Sequence, residues 1–287
     1  MATTVIPTTK QDRGSAIHYH DVLMVSGDCP LMVDVHLPGN RDRACPVILF
    51  SHDSLACRTW ESLAQIGDWF ADRGFCFVRF HESHHGATSE ISSPHPGNTL
   101  STALDRLGQV LDRVLSDSFP FAADLDPHRV FLLGHGRGGG LCILKAVEDS
   151  RICKLVTWGS VSDFGKQWDA DFVKKWKKEG VAKLPDQPSV SLDFGVYQDY
   201  QAHLDRLYLP AAVLKLPIPL LAIHGRCDEM VCVRAAYEMT DWNKDCAELY
   251  VIEDADHVFR CSCPDQKGIF SPHLKEALDK TLNFLLN

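Results

Sequence analysis

The residues best placed for chemistry gather at one glycine-rich turn, Gly134-His135-Gly136-Arg137-Gly138-Gly139-Gly140. It follows the apolar run Val130-Phe131-Leu132-Leu133, bounded upstream by Asp126-Pro127, and precedes Leu141-Cys142-Ile143-Leu144-Lys145-Ala146-Val147. The first run reads as the end of a buried strand and the second as a buried helix. Two chemistries fit a tight turn between them. Gly134, Gly136 and Gly139 have the Gly-x-Gly-x-x-Gly spacing of a dinucleotide phosphate loop. That loop needs an acidic residue about 20 positions on, where Trp158-Gly159-Ser160 stands instead, and this turn lies in mid-chain after several strands. The second chemistry is a nucleophile elbow, a sharp strand-to-helix turn that presents its central residue to a substrate. Strand, turn and helix favour the elbow. Its centre is Gly136, which has no nucleophilic atom.

Other chemistry-bearing residues are more scattered. His81-Glu82-Ser83-His84-His85-Gly86 brings three histidines and a carboxylate into one loop, but no helix or strand fixes their spacing and no firm fourth ligand follows. No metal and no cofactor is expected. The 11 cysteines are an odd number, and Cys76, Cys142 and Cys153 lie among apolar neighbours as small core residues do. Met1-Ala2-Thr3-Thr4-Val5-Ile6-Pro7 lacks the basic and apolar segments of a secretion signal, so reduced thiols and a cytoplasmic location are expected.

The elements that must position the turn follow from periodicity. Residues 1–16 read as a loose arm. Residues 18–25 and 31–37 read as a hairpin around Ser26-Gly27-Asp28 at a sheet edge. A central strand is expected over 45–52. A helix over 60–73 follows and ends at Gly74, and the next strand spans 75–80. A helix over 102–115 leads to the elbow strand, and another strand spans 152–159. From Phe164 to about Leu216 the pattern changes to aromatics, short helical segments and the run Lys174-Lys175-Trp176-Lys177-Lys178, which reads as a solvated helix face. Strands resume over 218–225 and 248–252, and a helix over 271–285 carries Leu274, Leu278, Leu282 and Leu285 on one face. Alternating strands and helices predict an α/β chain, a three-layer α/β/α sandwich with a mostly parallel central sheet.

On these residues the chain resembles the α/β-hydrolase family, whose elbow reads Gly-x-Ser-x-Gly. Gly134, Arg137 and Gly138 fit the pattern, with Gly136 where the serine stands. The resemblance runs from Val22 almost to the end of the chain. It implies a core over 17–160 and 217–287 and a short helical cap over 161–216. The family order is nucleophile, acid, histidine. His224-Gly225-Arg226-Cys227-Asp228-Glu229-Met230-Val231 is similar to the acid loop, and Asp256-His257-Val258-Phe259 is similar to the histidine loop. The resemblance therefore implies that Asp228 orients His257 and that His257 moves protons, with Glu229 as the nearest rival acid. It also implies an oxyanion hole from the backbone N–H of Arg137 and that of Asp53 or Ser54. Asp53 stands where relatives carry glycine, and its charge opposes a developing oxyanion. His135, His84, Trp168, Phe172 and Tyr197 are the expected substrate contacts.

A formal net charge of -9 argues against a nucleic-acid surface. No apolar run approaches the roughly 20 residues that span a bilayer. The expected partner is a small molecule, and the expected state a monomer or homodimer. The resemblance implies an enzyme for a small or medium apolar carbonyl compound, an ester, thioester or ketone, with serine-type hydrolysis disabled at Gly136. Substitute nucleophiles are unpromising: Cys142 lies a turn or more into the helix, and Ser54 and Ser83 need a different attack geometry. Three readings stay open. The chain is a serine hydrolase whose nucleophile has been replaced, a native lyase or cyclase using the Asp228–His257 pair as general base, or a catalytically inactive binding protein.

Overall fold

The computed structural model describes residues 9–13, 16–26, 29–40, 42–52, 63–82, 99–184, 187–261 and 270–287. Eleven strands are described: β1 (Thr9–Arg13), β2 (Ala16–Ser26), β3 (Cys29–Pro38), β4 (Cys45–Ser51), β5 (Cys76–Glu82), β6 (Leu125–His135), β7 (Ile152–Trp158), β8 (Val181–Leu184), β9 (Gln187–Asp193), β10 (Leu220–Gly225) and β11 (Ala247–Ile252). Nine of these form one sheet in the order β1-β2-β3-β5-β4-β6-β7-β10-β11. From β5 to β11 neighbouring strands run parallel, whereas β1, β2 and β3 join antiparallel. Every residue of β4 and β10 is buried, as expected of parallel strands covered on both faces.

Period-two alternation sorts the side chains into two cores. Val47 and Leu49 of β4 join Leu104, Leu107 and Leu111 on one face, while Ile48 and Phe50 join Ile66, Phe70 and Leu278 on the other. The helices supplying those faces are α1 (Leu63–Ala71), α2 (Leu100–Val114), α3 (Arg137–Glu148), α4 (Ala170–Glu179), α5 (Gly195–Ala202), α6 (Leu204–Leu207), α7 (Leu209–Lys215), α8 (Arg234–Trp242) and α9 (Pro272–Leu286). Thr99 caps α2 by accepting the Thr102 N–H, and Ser271 caps α9 by accepting that of Leu274. The result is the predicted three-layer α/β/α sandwich with a largely parallel sheet.

Two local expectations change. Residues 9–13 are not a loose arm: they pair with β2 in register from Thr9↔His20 to Arg13↔Ala16. The segment between β7 and β10 is not purely helical, because β8 and β9 form their own antiparallel pair beside α4 to α7. All three strands, β1, β8 and β9, owe their existence to a pairing partner, which a local pattern does not reveal.

Candidate active site

The elbow forms where β6 gives way to α3. Between them Gly136 has φ 57 and ψ -125, a region that glycine enters without the Cβ penalty paid by other residues. Its N–H donates to the Trp158 carbonyl at 3.0 Å, and its carbonyl accepts from Gly139 N–H at 3.1 Å. The first turn of α3 lies directly on the end of β4: a Cβ at Gly138 would stand 2.3 Å from the Ser51 carbonyl oxygen. The turn therefore stays sharp although its centre has no side chain.

Asp228 follows β10 and His257 follows β11, at the carboxyl ends of neighbouring parallel strands, where open α/β sheets build their sites. His257 Nδ1 donates to Asp228 Oδ2 at 2.7 Å. The other carboxylate oxygen, Oδ1, accepts from the N–H groups of Met230 (2.9 Å) and Val231 (2.8 Å). His224 of β10 adds a further donor. Its Nε2 lies 2.8 Å from the Val231 carbonyl and 3.2 Å from Asp228 Oδ2, and since the carbonyl can only accept, Nε2 carries the proton. Burial alone would raise the Asp228 pKa. The bonds from His224 and His257, the histidine charge and the Val231 N–H outweigh it and hold the carboxyl well below the usual carboxylate range. Glu229 is exposed, and Asp228 is the residue that meets His257.

Gly159 and His135, from distant parts of the chain, fix the pair together with the histidine loop itself. Gly159, just beyond β7, has φ +52, and a Cβ there would stand 3.0 Å from His257 Nδ1 and 3.1 Å from Asp228 Oδ2. His135, next to Gly136 in the chain, is fully buried and donates from Nε2 to the His257 carbonyl at 2.9 Å. Its ring lies 4.4 Å from that of His257, so the residue before the elbow's centre holds the histidine loop. The loop itself is wound tightly: Asp256 Oδ1 accepts from Val258 and Arg260 N–H groups, and Phe259, at φ 54, is buried edge-on to Trp158.

Arg137 is the first residue of α3. Asp53, Ser54, Ser83, His84 and His85 lie outside the described residues. Trp168, Phe172 and Tyr197 come together in the insertion, around Trp176. Trp168 lies 5.5 Å from Trp176 and 5.9 Å from Tyr197, and Phe172 lies 5.5 Å from Trp176. Trp168 is buried, while Phe172 and Tyr197 are half-buried. Cys142 is fully buried, and burial pushes its thiol far above the ordinary range despite a hydrogen bond with Ser51, so it supplies no thiolate. Cys76, Cys153, Cys227, Cys232 and Cys246 are, like Cys142, free thiols.

Among the described residues one group has donors suited to a metal: His18 on β2, His36 on β3 and Asp68 on α1. Burial lowers the His36 pKa against the opposing pull of Asp68. The strands β5, β4, β6 and β7 separate this group from the Asp228–His257 pair. No helix among the described residues is long and apolar enough to cross a membrane.

Solved structures with this architecture are numerous in kind. The chain is similar to Est1E from Butyrivibrio proteoclasticus with ferulic acid bound (TM-score 0.70, 18% identity, 92% of this chain and 97% of that one). It is similar to a dienelactone hydrolase from Anabaena variabilis (TM-score 0.61, 15% identity, 95% and 98%). It is also similar to the esterase domain of a Rhodothermus marinus protein (TM-score 0.57, 16% identity, 85% and 90%). No protein-family model matches the sequence, and no curated protein matches it. At these identities the likeness is one of fold: the chain has the α/β-hydrolase architecture over nearly its whole length.

Proposed function

We propose that this chain is an α/β-hydrolase-fold enzyme for a small or medium apolar carbonyl compound, an ester, thioester or ketone, in which Asp228 and His257 move protons and no covalent serine step occurs. The observation that carries this reading is the Asp228–His257 hydrogen bond of 2.7 Å beside an elbow that keeps its positive-φ backbone at Gly136. A carboxylate on Nδ1 fixes the tautomer whose Nε2 lone pair accepts a proton, and a low-pKa Asp228 stabilises the imidazolium that results. With glycine at the elbow's centre, the proton can come from water attacking the carbonyl or from carbon next to it. The second route leads to elimination, cyclisation or C–C cleavage without an acyl-enzyme. The Arg137 N–H and that of Asp53 or Ser54 are the donors for the oxyanion, and Trp168, Phe172 and Tyr197 give the substrate its apolar side. The ferulic acid in Est1E and the dienelactone in the Anabaena enzyme's name support a small carbonyl substrate.

A paired assay tests this. The chain and its Gly136→Ser form are offered a panel of small aryl esters and activated ketones, with a fluorophosphonate probe to label a competent serine. The serine form is expected to label and to hydrolyse an ester, and His257→Gln to abolish both. Conversion of a carbonyl compound by the glycine form, lost with His257→Gln, assigns the base-driven route to the chain as it stands. If the serine form neither labels nor turns over and the glycine form converts nothing, the chain is a binding protein and the proposal fails.

A further inference from the structure

Toward the other edge of the sheet from the Asp228–His257 pair, three metal-type donors converge from three elements. His18 and His36 are direct cross-strand partners in the antiparallel β2–β3 pair, which stacks their rings at 3.6 Å between centroids and 24° between planes. Both are fully buried. Asp68 reaches them from α1, with Oδ1 2.8 Å from His36 Nδ1. One ligand atom from each of the three residues lies within 4.8 Å of the others. Gly67, next to Asp68, lets α1 pack directly on the ring: a Cβ there would stand 2.5 Å from His36 Nε2.

A hydrogen-bonded core histidine accounts for part of this arrangement but not for the rest. His36 Nε2 is buried without a hydrogen-bond partner. If Nδ1 donates to Asp68, Nε2 is a bare lone pair, and if Nε2 carries the proton it is a donor with no acceptor. Each neutral tautomer thus leaves a sealed ring nitrogen unsatisfied, which native interiors avoid. An ion shared with Asp68 takes His36 at Nδ1, the nitrogen that faces the carboxylate at 2.8 Å, and the stacked His18 ring brings a second imidazole to the same donor set. Two imidazoles and one carboxylate suit zinc and its neighbours among the transition metals, not the oxygen-seeking magnesium or calcium. Asp68 retains 15% exposure of its side chain, which gives an ion access and a fourth position to water.

We propose that His18, His36 and Asp68 form a structural site for a divalent transition-metal ion, zinc fitting best, that fastens β2 and β3 to α1. Ligation of both rings by one ion turns their nitrogens toward a common point and splays the stack.

The test uses the full chain, stripped with chelator under reductant, and titrated with zinc by calorimetry and with cobalt by absorbance. Since the chain has 11 cysteines, capture of the ion by thiols is the competing outcome. Cobalt separates the two, because nitrogen and oxygen ligands give visible ligand-field bands without thiolate charge transfer. Expected are one equivalent bound, no thiolate band, a higher Tm with zinc, and affinity lowered about tenfold or more by His36→Gln and by Asp68→Asn. A thiolate band, absence of stoichiometric binding, or unchanged affinity in a folded variant overturns the site. If His36→Gln does not fold, Asp68→Asn and the cobalt spectrum of the unaltered chain decide. None of these readouts involves turnover, so the site stands or falls apart from the proposed function.

Discussion

Asp228 carries four hydrogen-bonding donors on two oxygens, and most of its behaviour follows from that count. Its folded pKa lies below its unfolded value of about 3.9, so its contribution to stability is fully present above that value and is lost as pH falls through the folded pKa. Asp228→Asn is therefore expected to be less stable than the parent at neutral pH, with the gap closing below about pH 4. Urea midpoints of both proteins across that range measure it, and a gap that widens on acidification sinks the assignment. Gly159→Ala acts on the same pair by a different route. It places a non-glycine residue at φ +52 and a methyl within 3.0 Å of His257 Nδ1, so it should break the Asp228–His257 bond. Loss of the downfield His257 Nδ1–H proton resonance, with at least tenfold lower turnover in whichever reaction the paired assay identifies, is the expected result.

The elbow works because α3 is pressed onto the end of β4. At Gly138 the obstacle to any side chain is the Ser51 carbonyl, a backbone atom that cannot rotate away. Gly138→Ala should lift the first turn of α3 and cost about 1–3 kcal/mol, and in the Gly136→Ser background it should abolish labelling by the probe. Thermal melts read the first effect, and an undisturbed melt with full labelling contradicts the packing described. Elements of this kind were legible in the sequence wherever one local signal sufficed. The apolar run before Gly134, the glycine turn and the leucines of α9 each announced themselves. The strand β1 and the β8–β9 pair did not, because each depends on a partner strand. For the site, Asp228 and His257 could be singled out by likeness to loops of known order. The roles of Gly159 and His224 exist only once β7 and β10 lie side by side, and the His18–His36 stack exists only once the hairpin register is set.

At the scale of the whole molecule, charge ties the layer of helices on one face together. Glu148 of α3 accepts from Lys145 at 2.8 Å and from Arg206 of α6 at 2.7 Å, and Arg206 also reaches Asp105 of α2 at 2.8 Å. Burial pushes Glu148 up, but the two cations outweigh it and hold its carboxyl below the ordinary value. The junction is partly solvated, so Glu148→Gln is expected to lower stability by only about 1 kcal/mol or less. The loss should shrink in high salt. Melting curves at low and high ionic strength check this, and equal losses at both would place the effect in packing rather than charge. The two apolar cores on either face of the sheet, not this network, carry the bulk of the fold.

The backbone at Gly136 has a genetic consequence. The turn is held from outside, by the Trp158 carbonyl, the packing of Gly138 on β4 and the histidine loop, so it does not rely on the residue at its own centre. Two of the glycine codons differ from serine codons by a single base. A lineage that writes Gly136 with either of those codons stands one point mutation from a serine at the elbow, and any selection that keeps the glycine acts against a change the scaffold is already shaped to accept.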